Sequence, residues 1–264
     1  EYDRAFLGLG PQVAVITGLE HDHPDCYPSF GLMRAAFVDF ARRLVPDGLL
    51  LVCGEDAAAG ELGEELRGQG ARVETYGLGP GYDWRATGPE PGTQAAMEVW
   101  HAGRHACICA LQVPGRHNVL NALGALAASA AVGADPGAAC GALARFRGTE
   151  RRFELKGQAA GVTVIDDYAH HPTEIRVTLA AARLKYPGRT LWAVFQPHTY
   201  SRTTALFPDF VTAFDQADHV LVTPIYAARE EKVTGPSATD LVAAMSHRDV
   251  RYVATFDQAV TTLV

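Results

Sequence analysis

Short apolar runs alternate with segments of helical period near the start of the chain, and this alternation constrains the fold more than any other feature. The runs VAVITGL (13–19) and GLLLVCG (48–54) are typical of buried strands. Helical periodicity follows each run, at 30–44 and at about 56–69. Strands that alternate with helices in this way predict an α/β fold.

The stretch 72–113 has a different character. It is rich in Gly, Pro and Thr and contains short alternating pieces such as ACICALQV, which predict antiparallel hairpins. An Ala-rich helix is predicted at 115–133, and a shorter helix is predicted to start at Pro136.

An arginine-rich segment, RFRGTERRFE (145–154), interrupts the pattern, and a second α/β series follows it. We therefore predict two domains, 1–148 and 149–264, with the second built on an open, mostly parallel, doubly wound sheet. Ligands of such sheets bind at the carboxyl ends of the strands. The strands of this series are predicted at 161–166, 190–196, 219–225 and 250–253. Its helices are predicted at 172–186, 203–216, 237–246 and 255–264.

Composition excludes several classes of function. The net charge of −7 and the pI near 5.8 argue against a nucleic-acid partner. Apolar runs stay far below the roughly 20 residues that a membrane span needs, so no membrane partner is expected and the cytoplasm is the predicted compartment. Five cysteines at scattered positions argue against a disulfide framework. Cys107 and Cys109 alternate along a predicted strand and are interpreted as core or edge residues.

The segment DDYAHHPTEI (166–175) places six titratable side chains where a strand should end and a helix should begin. Pro172 suits the first helical turn, where an N–H would have no partner. Carboxylates and imidazoles at this place could bind a metal, orient an amine or hold a phosphate oxygen. The alternative is that Asp167 and His171 only cap the turn and that Tyr168 fills a gap.

A second polar turn, GLEHDHPDCY (18–27), follows the first predicted strand. Its carboxylates and imidazoles could hold a cation, since Mg²⁺ takes oxygen ligands and softer ions also accept imidazole. The alternative is an ordinary polar turn with side chain–backbone hydrogen bonds.

Two further segments place polar groups at element ends. In PGRHNVLNALGAL (114–126), His117, Asn118 and Asn121 share one helix face, and amide side chains can pair with the edge of adenine. The alternative is capping of a core helix. In FQPHTYSRT (195–203), Arg202 could bind a carboxylate or phosphate, and the alternative is an exposed arginine at a helix start.

In this order, the segments resemble the Mur ligases, the ATP-dependent amide-bond ligases of peptidoglycan synthesis. The resemblance spans nearly the whole chain and implies part of a central ATP-binding domain followed by part of a Rossmann-like C-terminal domain. This sequence has neither the family's UDP-binding domain nor a Walker A loop, so we expect a piece of a longer protein that is inactive by itself. The matching segments are VITGLEHDHPDCY, VPGRHNVLNALGALA, RRFE, VIDDYAHHPTEI, FQPHTYSRT and PIYAARE.

The resemblance also implies an activity. The expected reaction adds L-alanine to UDP-N-acetylmuramate through an acyl phosphate, with ATP and Mg²⁺ as cofactors. Two alternatives stay open: a family member that recycles a tripeptide onto UDP-muramate, and a non-catalytic binding or regulatory protein on the same scaffold.

On the nucleotide side, the resemblance implies roles for five residues. His23 is similar to a histidine ligand of Mg²⁺. His117, Asn118 and Asn121 are similar to residues that contact ATP at the adenine. Arg152 is similar to a catalytic arginine that reaches the ATP phosphates.

On the side of the other substrates, five residues match the family pattern. Asp167 is similar to a catalytic acid that supports the nucleotide and the hinge between domains. Tyr168, His170, His198 and Arg202 are similar to residues near the alanine and muramoyl carboxylates. His170 is also expected to act in catalysis.

Overall fold

The computed structural model describes residues 2–88, 96–231 and 235–263. Part of the predicted hairpin stretch, 89–95, and the final residue of the last predicted helix lie outside the described residues. Within the described residues, no helix combines the length and the apolar character that crossing a bilayer requires.

The chain divides into two compact units. Unit 1 contains residues 1–21 and 26–147, and unit 2 contains residues 22–25 and 148–264. The short segment 22–25 therefore groups with residues that follow much later in the sequence. The predicted roles of the two domains stay predictions.

Unit 1 is a mixed sheet with helices on both faces. Its strands lie in the order β1-β2-β3-β4-β5-β6, with β1 to β4 parallel and β5 and β6 antiparallel to their neighbours. After a short 3-10 helix at Tyr2–Gly8, the elements are β1 (Val13–Ile16), α1 (Phe30–Ala41), β2 (Leu49–Cys53), α2 (Ala57–Gly68), β3 (Arg72–Gly77), β4 (Trp84–Thr87), β5 (Met97–His101), β6 (Arg104–Cys109), α3 (Arg116–Ala131) and α4 (Pro136–Leu143).

The hairpin prediction for 72–113 is confirmed for β4, β5 and β6 but is wrong for β3. This strand pairs in parallel with β2 because α2 carries the chain back across the sheet before β3 begins. All five residues of β2 are buried, as expected for a strand covered on both faces. One core lies between the sheet and α3 and α4, and the other lies between the sheet and α1 and α2.

Two of the five cysteines form a disulfide, which the scattered spacing did not predict. Cys107 on β6 is joined to Cys140 on α4. The two residues are 33 positions apart in sequence, and only the packing of α4 against β6 brings them together. Cys109, two residues along the same strand, is buried, in agreement with the core interpretation.

Unit 2 contains a three-stranded parallel sheet and a separate hairpin. The sheet has the order β11-β10-β9, and the hairpin pairs β7 with β8 in antiparallel orientation. The elements are β7 (Glu154–Ala159), β8 (Val162–Asp166), α5 (Pro172–Lys185), β9 (Trp192–Phe195), α6 (Tyr200–Ala205), α7 (Phe207–Val211), β10 (His219–Val222), α8 (Ala238–Ala244), β11 (Val250–Tyr252) and α9 (Phe256–Leu263).

Two predictions for this unit need correction. The strand predicted at 161–166 does not join the parallel sheet but forms a separate antiparallel hairpin with β7, which the sequence reading missed. The helix predicted at 203–216 is instead two short helices, α6 and α7. Pro208 stands at the start of α7, and without an N–H it cannot continue a helix that arrives from α6.

Helices cover both faces of the parallel sheet. The larger core packs Ile175 and Leu179 of α5 with Phe210 and Leu241 of the later helices. The opposite face buries Leu221 of β10 against Ala259 of α9. Helices on two sides of a parallel sheet confirm the doubly wound α/β class.

Candidate functional site

The Asp167 carboxylate, directly after β8, accepts hydrogen bonds from backbone N–H groups rather than from side chains. Its Oδ2 accepts a hydrogen bond from the Phe153 N–H at 2.8 Å, and its Oδ1 accepts one from the Ala169 N–H at 2.8 Å. Phe153 has φ of +51° and Arg151 has φ of +55°, which are unfavourable for side chains of this size. Asp167 therefore stabilises a strained junction at the start of unit 2.

The capping alternative is correct for His171. Its side chain accepts a hydrogen bond from the Thr173 N–H, and the Glu174 carboxylate accepts one from the His171 N–H, which forms a capping box at the start of α5. Pro172 occupies the first turn as predicted. Tyr168 does not fill a gap, because 41% of it is exposed.

Glu174 is a charged residue of the site that the sequence reading did not single out. It accepts the His170 N–H at 2.9 Å, and its carboxylate lies 3.1 Å from Arg152 Nη1. Burial alone would raise the pKa of Glu174, but the bond and charge of His170, the His171 N–H and Arg152 together lower it. Its role could have been predicted from the sequence, because Glu174 lies three residues after the N-cap His171, the position that Glu occupies in a capping box.

Arg152, the predicted phosphate contact, is half exposed. In addition to Glu174, its guanidinium lies 5.9 Å from the centre of the Tyr168 ring. Arg151 lies over the same ring at 4.6 Å. The two arginines and Tyr168 thus form one exposed cationic edge of unit 2.

Aromatic and imidazole rings form a continuous row from the end of β8 to the loop after β10. The ring centres of Tyr168 and His170 are 5.1 Å apart, and those of His170 and His198 are 6.0 Å apart. His198 continues the row to Tyr226 at 5.6 Å. The structure therefore brings three predicted substrate residues together and adds Tyr226, which the sequence reading quoted only as part of PIYAARE.

Arg202 completes this cluster, and the alternative of an exposed arginine is wrong. Only 5% of its side chain is accessible. Its Nε donates to Asp22 Oδ1 at 2.7 Å, and its Nη1 donates to His198 Nδ1 at 3.1 Å. Among the described residues, Nη2 makes no hydrogen bond, so this nitrogen can serve a ligand.

Asp22 compensates the charge of the buried guanidinium. Burial alone would raise the pKa of Asp22, but the hydrogen bond and charge of Arg202 outweigh it and lower the pKa from 3.8 to about 2. Asp22 belongs to unit 2 although 180 positions separate it from Arg202. The sequence reading placed Asp22 in a polar turn and gave no sign of this partner.

The hydrogen bond from Arg202 also determines the protonation state and the tautomer of His198. Burial lowers the pKa of His198, and the charges of Arg202 and His170 lower it further, so the ring is neutral at pH 7. Arginine can only donate, which makes Nδ1 the acceptor and leaves the proton of the neutral ring on Nε2. His198 therefore presents a hydrogen-bond donor.

His23, the predicted magnesium ligand, lies beside Asp22. The His23 N–H donates to Asp22 Oδ1 at 2.8 Å, and its Nε2 is 3.5 Å from the other carboxylate oxygen. The described part of the chain contains no group of three or more His, Cys, Asp or Glu side chains that could hold a metal ion. These residues do not form a complete metal site by themselves.

In unit 1, the predicted adenine contacts lie in the first turns of α3. Gly115 precedes the helix with φ of +100°, and no side chain caps the helix there. Asn118 donates from Nδ2 to the Pro114 carbonyl at 2.6 Å, which is not the N-terminal cap that the alternative expects. Asn121 is exposed one turn further on, and His117 is half-buried.

The carboxyl ends of β2 and β3 carry further polar groups close to the start of α3. Glu55 accepts the Leu78 N–H at 2.8 Å and pairs with Arg116 of α3. The Tyr82 ring lies against the backbone of the glycines that follow β2 and end β3, where a Cβ on either would overlap it. The sequence reading missed this packing.

Comparison with known proteins identifies the family. A model of the Mur ligase middle domain matches residues 3–129, and a model of the Mur ligase glutamate ligase domain matches residues 151–264. The chain belongs to the Mur ligase family. The matched ranges together include most of this Mur ligase chain.

Curated relatives agree with this family. UDP-N-acetylmuramate–L-alanine ligases from Frankia casuarinae and Caldanaerobacter subterraneus are 43% and 41% identical to it over the full chain. A ligase of the same name from Kineococcus radiotolerans is 44% identical. The Mur ligase chain spans 58%, 57% and 56% of these three relatives.

Solved structures show the same Mur ligase fold. The UDP-N-acetylmuramate-alanine ligase of Thermotoga maritima superposes with a TM-score of 0.73 at 27% identity, covering 99% of this chain and 55% of that one. A murein peptide ligase from Psychrobacter arcticus has a TM-score of 0.65 at 24% identity, covering 98% of this chain and 52% of that one. The second likeness supports the fold alone.

Proposed function

We propose that the protein containing this chain joins L-alanine to UDP-N-acetylmuramate, using ATP to form an acyl phosphate of the muramoyl carboxylate. One observation carries the proposal: relatives that bear this activity in their name match the chain over its whole length at 41–44% identity. The tripeptide-recycling and non-catalytic alternatives are left to the experiment.

On this proposal, unit 1 binds ATP through the start of α3. Asn118 and Asn121 offer amide groups that can pair with the adenine edge, and His117 lies between them and Arg116 in sequence. Arg152 of unit 2 is proposed to offset charge on the phosphates during transfer. In the described structure its guanidinium pairs with Glu174, so it would exchange one anionic partner for another.

The unit 2 cluster is proposed to bind a substrate carboxylate. Arg202 is held by Asp22, and its Nη2 makes no hydrogen bond with the described residues. The Nε2–H of His198 provides a second donor. A carboxylate with two oxygens can accept from both, and desolvation of the buried guanidinium strengthens the interaction. Tyr168 and His170, in the same row of rings, are proposed to line this site.

Asp167 is proposed to act through the backbone of the junction that it stabilises. Mg²⁺ is proposed as the ion that accompanies ATP, with His23 as a single protein ligand. Since the described residues do not form a complete metal site, we assign the metal no step. The proposed compartment is the cytoplasm, where UDP-linked precursors and ATP would be available.

The test uses the purified full-length gene product. Release of phosphate from ATP should require both UDP-N-acetylmuramate and L-alanine, and replacing L-alanine with a tripeptide should abolish it. Arg202→Lys keeps the charge but loses the planar fork, and we expect it to raise the KM for L-alanine about tenfold. Arg248→Lys is the matched control, because Arg248 is largely exposed. No phosphate release, or release only with the tripeptide, would contradict the proposal.

A further inference from the structure

The loop after β10 returns to the start of α6 and binds it through one carboxylate. Glu230 Oε2 accepts hydrogen bonds from the Tyr200 N–H at 2.6 Å and from the Ser201 N–H at 3.0 Å. Its Oε1 accepts the Ser201 hydroxyl. One side chain therefore satisfies three donors at the first turn of α6, and bonds to an ionised acceptor are stronger than neutral ones.

This turn needs external support for two reasons. Thr199, at the N-cap of α6, has φ of +66°, a conformation that a β-branched residue rarely adopts. The helix that follows has only six residues, too few to be stable without contacts to other elements. The same loop also supplies backbone bonds, from the Thr199 N–H to the Tyr226 carbonyl and from the Tyr226 N–H to the Pro197 carbonyl, each 2.8 Å long.

The supported turn carries both donors of the proposed carboxylate site. His198 lies just before the strained Thr199, and Arg202 lies in the first turn of α6, next to the residues that Glu230 binds. Their separation is set by the backbone between them, because Arg202 Nη1 reaches His198 Nδ1 at 3.1 Å only with this turn in place. Any relaxation of Thr199 toward negative φ would move one donor relative to the other.

We infer that Glu230 is a positioning residue, which fixes His198 and Arg202 at the spacing that the carboxylate of the incoming amino acid requires. The inference rests on the proposed function for its substrate. Glu230 itself touches neither donor through a hydrogen bond and acts through Thr199, Tyr200 and Ser201.

The first measurement is amide hydrogen exchange of the chain, which needs no activity. Glu230→Ala removes both acceptor oxygens and with them all three hydrogen bonds, and Glu230→Gln removes the charge while leaving one carbonyl oxygen. We expect the exchange of the Tyr200 and Ser201 amides to become at least about tenfold faster in Glu230→Ala, with Glu230→Gln in between. Glu231→Gln is the matched control, since it removes the same charge from the neighbouring exposed residue.

The second measurement is steady-state kinetics of the full-length gene product. The KM for L-alanine should rise about tenfold in Glu230→Ala, while the KM for ATP stays close to that of Glu231→Gln. A purely structural role would instead lower the fraction of folded protein and reduce kcat without a selective rise in the KM for L-alanine.

Two results would overturn the inference: unchanged exchange at Tyr200 and Ser201, or faster exchange without a selective rise in the KM for L-alanine. Failure of the proposed function gives a different result. In that case the unaltered protein releases no phosphate with L-alanine, and the proposed substrate of this site is wrong even if exchange shows that Glu230 holds the turn.

Discussion

Replacing Asp22 with Asn tests whether the buried ion pair with Arg202 stabilises unit 2. The substitution keeps the size of the side chain and a carbonyl oxygen for the hydrogen bond but removes the charge. Arg202 cannot lose its own charge, and its side chain is only 5% accessible. The variant therefore leaves a buried cation without an anionic partner, which is unfavourable in a medium of low polarity.

The size of the effect follows from the titration of Asp22. Its pKa falls from 3.8 to about 2 in the folded protein. At about 1.4 kcal/mol per pKa unit, the charged form contributes about 2 kcal/mol to the free energy of unfolding at pH 7. The folded pKa is the lower one, so this contribution is complete above pH 4 and is lost as the pH falls through 2. About half of it should remain at pH 3.

The assay is urea unfolding followed by hydrogen-exchange mass spectrometry of peptides from β9 and β10, which report on unit 2. Asp22→Asn should lower the free energy of unfolding by about 2 kcal/mol at pH 7 and by about 1 kcal/mol at pH 3. Asp215→Asn, an exposed aspartate of the same unit, serves as the control. Equal stabilities at pH 7, or a difference that grows as the pH falls, would refute the reasoning.

Three further predictions concern single residues. His171→Ala removes the N-cap of α5 and should lower the free energy of urea unfolding by about 1 kcal/mol. Ala160→Asn, at the exposed tip of the β7–β8 hairpin with φ of +48°, should raise the thermal midpoint, by a gain of about 0.5 kcal/mol, and an unchanged midpoint would contradict this. Gly77→Ala should cost about 1–3 kcal/mol by displacing the Tyr82 ring, and less in a Tyr82→Ala background; equal costs in both backgrounds would show that the ring is not the obstacle.

The sequence predicted correctly those helices and strands that are determined by their own residues, through hydrophobic pattern or a proline at a helix start. The buried run of β2 and the Ala-rich α3 follow from hydrophobic pattern, and Pro172 marks the start of α5 as expected. The prediction that His170 and His198 follow strands of one sheet was wrong, because β8 belongs to the separate hairpin, although their ring centres do lie 6.0 Å apart.

Features that depend on distant partners could not be predicted in this way. The hydrophobic pattern of β8 fits either the parallel sheet or a hairpin with β7, and the pattern alone does not show which of the two forms. The Cys107–Cys140 disulfide and the place of Glu230 both depend on how loops and helices pack. Arg202 illustrates the same limit, since an arginine at a helix start carries no local sign of burial and its partner Asp22 lies 180 positions away.

The separation of Asp22 from Arg202 along the chain has a consequence for biosynthesis. A ribosome adds roughly 5–20 residues per second, so Asp22 is made about 10–40 seconds before the arginine that it must meet 180 positions later. During this interval unit 1 can begin to fold, while the segment 22–25 remains a hydrated anionic loop that has not yet met Arg202. Unit 2 therefore cannot be completed from residues 148–264 alone, because its Arg202 pairs with a carboxylate that is synthesised 180 positions earlier.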